Sequence, residues 1–135
     1  MIIMAKFQKR LRKMSVNSTN ALVIGHGFGK IEDIVQTFNS VFITFYDNID
    51  FKSKNLIYRE KIDDLSTLVE IGAVFIDLKN LNKLSEVMPM IRKYRAPVLI
   101  EGRDMISKEL AQPLIDFGYR PTDQSDSFYV WKPQV

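Results

Sequence analysis

Three features of the sequence predict an α/β domain built on a doubly wound, mostly parallel sheet flanked by helices. Short, wholly apolar runs recur along the chain. Amphipathic stretches of helical period lie between them, and the first run ends in a glycine-rich turn, Gly25-His26-Gly27-Phe28-Gly29. Apolar runs without alternation mark strands covered on both faces, the situation of a parallel sheet between helical layers. Right-handed crossovers then wind the sheet outward in both directions. The 135 residues fit one domain spanning 1–135, large enough to bury about two-thirds of its surface.

Residues 1–19 read as a basic amphipathic leading helix. Met4, Phe7, Leu11 and Met14 recur at spacings of 3, 4 and 3, with Lys6, Lys9, Arg10, Arg12 and Lys13 on the other side. Such a stripe either packs on the body with its cations in water, or docks on an anionic surface, membrane or RNA. Its basic, acid-free composition also suits a transit peptide.

The first strand is Ala21-Leu22-Val23-Ile24, followed by the glycine turn. Ile31, Ile34, Val35 and Phe38 fall on one helix face. Val41 to Tyr46, rich in β-branched and aromatic residues, is the second strand. After a polar stretch comes a weaker third, Leu56-Ile57-Tyr58. Leu65, Leu68 and Val69 mark a short helix capped by Asp63 or Asp64 and closed by Gly72. Ala73-Val74-Phe75-Ile76 is the fourth strand. Leu81, Leu84, Val87, Met88 and Ile91 keep helical period behind Asn80 as the cap. Pro97-Val98-Leu99-Ile100 is the fifth strand, and Ile106, Leu110, Leu114 and Phe117 give a helix closed by Gly118. Pro89 and Pro113 are expected to kink or break their helices. Two last pieces, Tyr119 to Thr122 and Ser127 to Trp131, flank the polar turn 123–126 and pair as a C-terminal antiparallel hairpin.

Composition narrows the chemistry. Cysteine is absent, which removes disulfides, thiolate nucleophiles and cysteine metal sites. His26 is the only histidine, so a histidine metal site or two-histidine relay within one chain is excluded. No apolar run approaches the ~20 residues that span a membrane, and no signal-peptide core follows the start. The expected location is the cytoplasm. Residues 1–30 carry six cations and no acid, while the other 13 cations and all 16 acids lie beyond them. The basicity belongs to one arm, and the body carries −3. A nucleic-acid binder of the usual kind spreads its cations over a face of the fold; beyond the arm, this chain gives nucleic acid no support.

In such sheets ligands bind beyond the carboxyl ends of the strands, where the strand order reverses. Gly25, Gly27 and Gly29 at a strand–helix junction allow a tight turn and close backbone approach to a ligand. The dinucleotide fingerprint would need a glycine where Lys30 stands, and the phosphate-binding Walker loop is missing. Lys30 and Arg59 fit surface cations better than ligands.

Together these placements resemble the class I S-adenosylmethionine-dependent methyltransferases. Val23-Ile24-Gly25-His26-Gly27-Phe28-Gly29 is similar to the family's first motif. Asp47, after Phe45-Tyr46, stands where its ribose-binding carboxylate lies, and Asp77, after Phe75-Ile76, stands where its motif after the fourth strand begins. Phe117-Gly118-Tyr119 through Phe128-Tyr129-Val130-Trp131 resembles its closing hairpin. The resemblance covers most of residues 20–132 as an order of elements, and only the glycine loop is specific. It implies a methyltransferase-like Rossmann topology, S-adenosylmethionine as a small-molecule cofactor held by Gly25, Gly27, Gly29 and Asp47, with Glu60 an approximate match for an acid near the adenine. It also implies Asp77 or His26 as the group that deprotonates or orients a methyl acceptor. The bland alternatives are strand-end caps for Asp47 and Asp77 and a solvated loop residue for His26. Val23 stands where the family usually has a carboxylate, and the chain has little room for a substrate lid. The fold can therefore persist without catalysis.

A second resemblance, to response-regulator receivers, rests on Ala73-Val74-Phe75-Ile76-Asp77-Leu78, Ala96-Pro97-Val98-Leu99-Ile100 and the late Lys132-Pro133. The first strand lacks their acid pair and Glu101 replaces their hydroxyl residue, which leaves at most a non-phosphorylated binding or assembly module. Finally, Phe128, Tyr129 and Trp131 put aromatics on both faces of the last strand. Helical layers of the same chain could cover them, or a homodimer could.

Overall fold

The computed structural model describes residues 20–25, 31–46, 51–60, 70–102, 106–124 and 128–134. The leading arm, the predicted helix around Leu65 to Val69, and His26, Gly27, Gly29, Lys30 and Asp47 lie outside them.

Seven strands form one sheet among the described residues. β1 (Asn20–Ile24), β2 (Ser40–Thr44), β3 (Leu56–Tyr58), β4 (Ala73–Ile76) and β5 (Val98–Glu101) are joined by parallel ladders. β6 (Tyr119–Gln124) and β7 (Phe128–Pro133) form the antiparallel hairpin, and the spatial order is β3-β2-β1-β4-β5-β7-β6. The apolar runs account for this arrangement. Each residue of Ala21–Ile24 and Ala73–Ile76 is buried, as strands enclosed on both faces must be.

The two faces carry separate cores. Ala21, Val23, Val41, Ile43, Ala73, Phe75, Leu99, Phe128 and Val130 pack with Ile34, Val35 and Phe38 around helix α1 (Ile31–Thr37). The Phe38 and Phe75 rings meet edge to face, centroids 5.8 Å apart. On the opposite face Leu22, Ile24, Val74, Ile76 and Ile100 pack with Leu84, Val87, Met88 and Ile91 of α2 (Leu84–Tyr94) and with Ala111 and Leu114 of α3 (Lys108–Asp116).

Four local expectations are corrected. The second strand stops at Thr44, because Phe45 turns left-handed at φ +53° and ends the extended run before Tyr46. Asn80 is not the cap of the following helix. Asp77 caps a 3-10 turn, Leu78–Lys83, that leads into α2. Pro89 and Pro113 do not break α2 or α3. Each stands on the sixth helical residue, so the carbonyl left without a donor belongs to Ser85 or Glu109 in the exposed first turn, where water can satisfy it. Leu110 stands in solvent, and the buried residues of α3 are Ala111 and Leu114.

Two of the three last-strand aromatics, Phe128 and Trp131, find cover within one chain, and Tyr129 is half-buried. β7 lies between β5 and β6, and Phe128, Val130 and Trp131 are buried. Lys132 and Pro133 sit inside this antiparallel strand, with Lys132 Nζ 3.5 Å from Asp123 Oδ2, so the receiver-like pair marks no parallel strand end.

Candidate functional site

The strand order reverses at β1, whose neighbours are β2 on one side and β4 on the other. A crevice beyond the carboxyl ends of β1 and β4 is therefore where this topology places a ligand. Backbone bonds draw the three strand ends together there. Gly25 N donates to Thr44 O at 2.9 Å, and Asp77 N donates to Ile24 O at 3.3 Å.

Gly25 itself has φ +97°, a conformation that side chains rarely adopt. A Cβ at this position would lie 2.6 Å from Asn80 Nδ2 and 2.5 Å from Asp77 Cγ, and would overlap Asp77 Oδ2. The first glycine of the loop is thus imposed by two side chains of the chain itself. Asp77, 7% exposed, accepts at Oδ1 from Asn80 N at 3.1 Å and from Asn80 Nδ2 at 2.7 Å. The cap explains why a carboxylate is tolerated at a buried strand end. Its charge is met by hydrogen-bond donors.

Thr44, the last residue of β2, is fully buried, and its Oγ1 has no hydrogen-bond partner among the described residues. Its register partner is Ile24, directly before Gly25. A fully buried hydroxyl without a partner is an uncommon feature of a folded chain. Next in the chain, Phe45 lies under the Lys83 ammonium, 4.7 Å from its ring centroid. Tyr46 meets Tyr58 edge to face at 4.6 Å, and the Tyr58 hydroxyl donates to Phe51 O. Glu60 is exposed two residues past β3, and Arg59 N donates to Ile43 O.

Of the predicted site residues, the structure brings Gly25 and Asp77 into contact and leaves Glu60 exposed, past the end of β3. Asn80, Thr44 and Glu101 were missed as parts of this edge. Glu101 Oε1 accepts from Leu78 N at 3.3 Å and so joins the ends of β5 and β4. Only the spacing of Asp77 and Asn80, a cap-like i to i+3 pair, was a usable signal. A separate open cleft of about 240 Å³ lies on the hairpin, lined by Pro121, Thr122, Asp123, Gln124 and Tyr129. Its one carboxylate, Asp123, is already engaged by Lys132 and the Thr122 hydroxyl. Among the described residues no cluster of three or more acids or histidines could hold a metal, and no helix is long and apolar enough to cross a membrane.

Neither the protein-family models nor the curated proteins contain a match to this chain. Solved structures do match, at low identity. A precorrin-6y methyltransferase from Geobacter metallireducens superposes with a TM-score of 0.62 at 14% identity, over 96% of this chain and 87% of that one. An N-methyltransferase from Bradyrhizobium japonicum gives 0.61 at 12% identity, over 96% and 94%. A ribosomal protein L11 methylase from Lactobacillus delbrueckii subsp. bulgaricus gives 0.62 at 10% identity, over 97% and 76%. The chain has the methyltransferase-like Rossmann fold.

Proposed function

We propose that the protein binds S-adenosylmethionine at the crevice between the ends of β1, β2 and β4 and works as a methyltransferase-like protein. The observation that carries this reading is the left-handed Gly25 at the reversal of strand order, in contact with Asp77. Gly25, Gly27 and Gly29 would line the approach. Asp47 would accept both ribose hydroxyls, as a charged two-oxygen acceptor can, and Glu60 would stand toward the adenine. When bound, the cofactor supplies a methyl group on a positively charged sulfur, already activated for transfer. The protein's remaining task is alignment, which falls to Asp77 and His26 as the groups that orient or deprotonate an acceptor.

A second reading, binding without catalysis, is favoured by Val23. Fully buried in an apolar core, it offers no charge where the resemblance would place a carboxylate. Asp77 in turn already serves as a helix cap.

Calorimetric titration with S-adenosylmethionine tests the proposal. Heat saturating at one site per chain is expected, and Asp47→Ala should weaken it by about 1.5–3 kcal/mol, the range for hydrogen bonds to a charged group. Absence of binding at millimolar cofactor overturns the proposal. Binding without methyl transfer to any acceptor supports the second reading.

A further inference from the structure

Next to the crevice, the ends of β4 and β5 present a surface that cofactor binding leaves unexplained. Leu78, directly after Asp77, is 49% exposed, and Leu110, on the first turn of α3, is 44% exposed. Among the described residues no other large apolar side chains stand so far into solvent. Both belong to elements that leave the carboxyl ends of adjacent parallel strands. Glu101, the last residue of β5, joins the two strand ends through its bond to Leu78 N at 3.3 Å.

Among the described residues, two carboxylates, Asp77 and Glu101, stand at this edge. The first amides of a helical turn ordinarily attract an anion. Here Leu78 N is taken by Glu101 and Asn80 N by Asp77. An anionic ligand would therefore meet two fixed carboxylates, with two of the first-turn donors already occupied. Of the nearby lysines, Lys83 lies over the Phe45 ring and Lys79 is engaged within the chain. An apolar side chain beside a half-exposed carboxylate is complementary to a molecule that is apolar and positively charged.

We propose that the carboxyl edge of β4 and β5 binds an apolar molecule bearing a cationic amine, with its ammonium on Glu101 and its hydrocarbon body on Leu78. That this molecule is the methyl acceptor rests on the cofactor reading above; that the edge binds it does not. Glu101 is then a specificity-determining residue, selecting amines over acids of the same shape.

The test uses three probes of similar shape, 2-phenylethylamine, 2-phenylethanol and 3-phenylpropanoate. Each is titrated into the full chain with and without S-adenosylhomocysteine and followed by amide chemical shifts. The amine should bind with shifts at Leu78 and Glu101, the alcohol more weakly, and the acid not at all. Glu101→Gln keeps an oxygen for Leu78 N, so the fold is retained. It should weaken the amine at least tenfold and leave the alcohol unchanged, whereas Leu78→Ser should weaken both. The proposal is overturned if the acid binds as well as the amine, if Glu101→Gln leaves the amine unaffected, if the shifts fall on Thr122 and Tyr129, or if no probe binds at millimolar concentration. Amine binding without S-adenosylhomocysteine binding would refute the cofactor reading alone. The reverse would refute this one alone.

Discussion

Gly25 shows how one residue ties the sequence motif to the architecture. Its φ of +97° and its contact with Asp77 and Asn80 both exclude a side chain. Gly25→Ala should cost about 2–5 kcal/mol, combining left-handed strain with forced repacking, as read from urea denaturation. Removing the obstacle should recover part of this. Asp77→Ala alone loses a cap at about 1 kcal/mol, so the double variant should be more stable than the sum of the two losses predicts. Strict additivity would mean that the contact does not govern the glycine. Tyr119 offers a test by pH. Its buried hydroxyl donates to Ala96 O at 2.7 Å, and burial pushes its pKa from 10.0 up to about 12, against a smaller opposing pull from Arg92 and Arg95. Between those values the unfolded chain has released the proton and the folded chain has not. Stability therefore falls as pH rises from 10 toward 12. The alkaline slope of the melting temperature should be shallower in Tyr119→Phe than in the unaltered protein. Identical slopes would remove Tyr119 as its source.

Among the elements, β6 has a sequence that manages a hazard. It is an edge strand, and open edges invite pairing with other chains. Pro121 offers no N–H, the Arg120 guanidinium donates to Tyr119 O at 2.8 Å, and the register slips between Pro121 and Asp123. Arg120→Thr combined with Pro121→Val should expose a regular edge and cause concentration-dependent association in sedimentation velocity. Sedimentation indistinguishable from the unaltered chain would show that these devices do not guard the edge. The central strands were legible because residues such as Ala21–Ile24 and Ala73–Ile76 are apolar throughout, as strands covered on both faces are. Element ends were less legible. The left-handed turn at Phe45 follows the bond from Gly25 N to Thr44 O, a contact between strand ends that lie far apart in sequence. Leu110 keeps helical period with Leu114, yet it is Ala111, too small to register as an apolar marker, that faces the core. The candidate site was half legible for the same reason. Gly25 carries a motif signal and Asp77 with Asn80 a cap-like spacing, whereas Thr44 and Glu101 acquire their places only once the sheet has formed.

In the whole molecule, two cores on opposite faces share one sheet, and Trp131 belongs to the core packed against α2 and α3. Unfolding followed by Trp131 fluorescence and by far-ultraviolet circular dichroism should give one coincident transition. Separate midpoints would mean that the two faces melt independently. The strand order concentrates chemistry at one end of this sheet, where Gly25, Asp77 and Glu101 close β1, β4 and β5. Amide chemical-shift mapping with S-adenosylhomocysteine tests that placement most directly. The account predicts saturable shifts at Gly25, Phe45, Tyr46 and Asp77, with the β6–β7 hairpin unmoved. No shift at millimolar ligand, or shifts confined to Thr122, Gln124 and Tyr129 on the hairpin cleft, would contradict it.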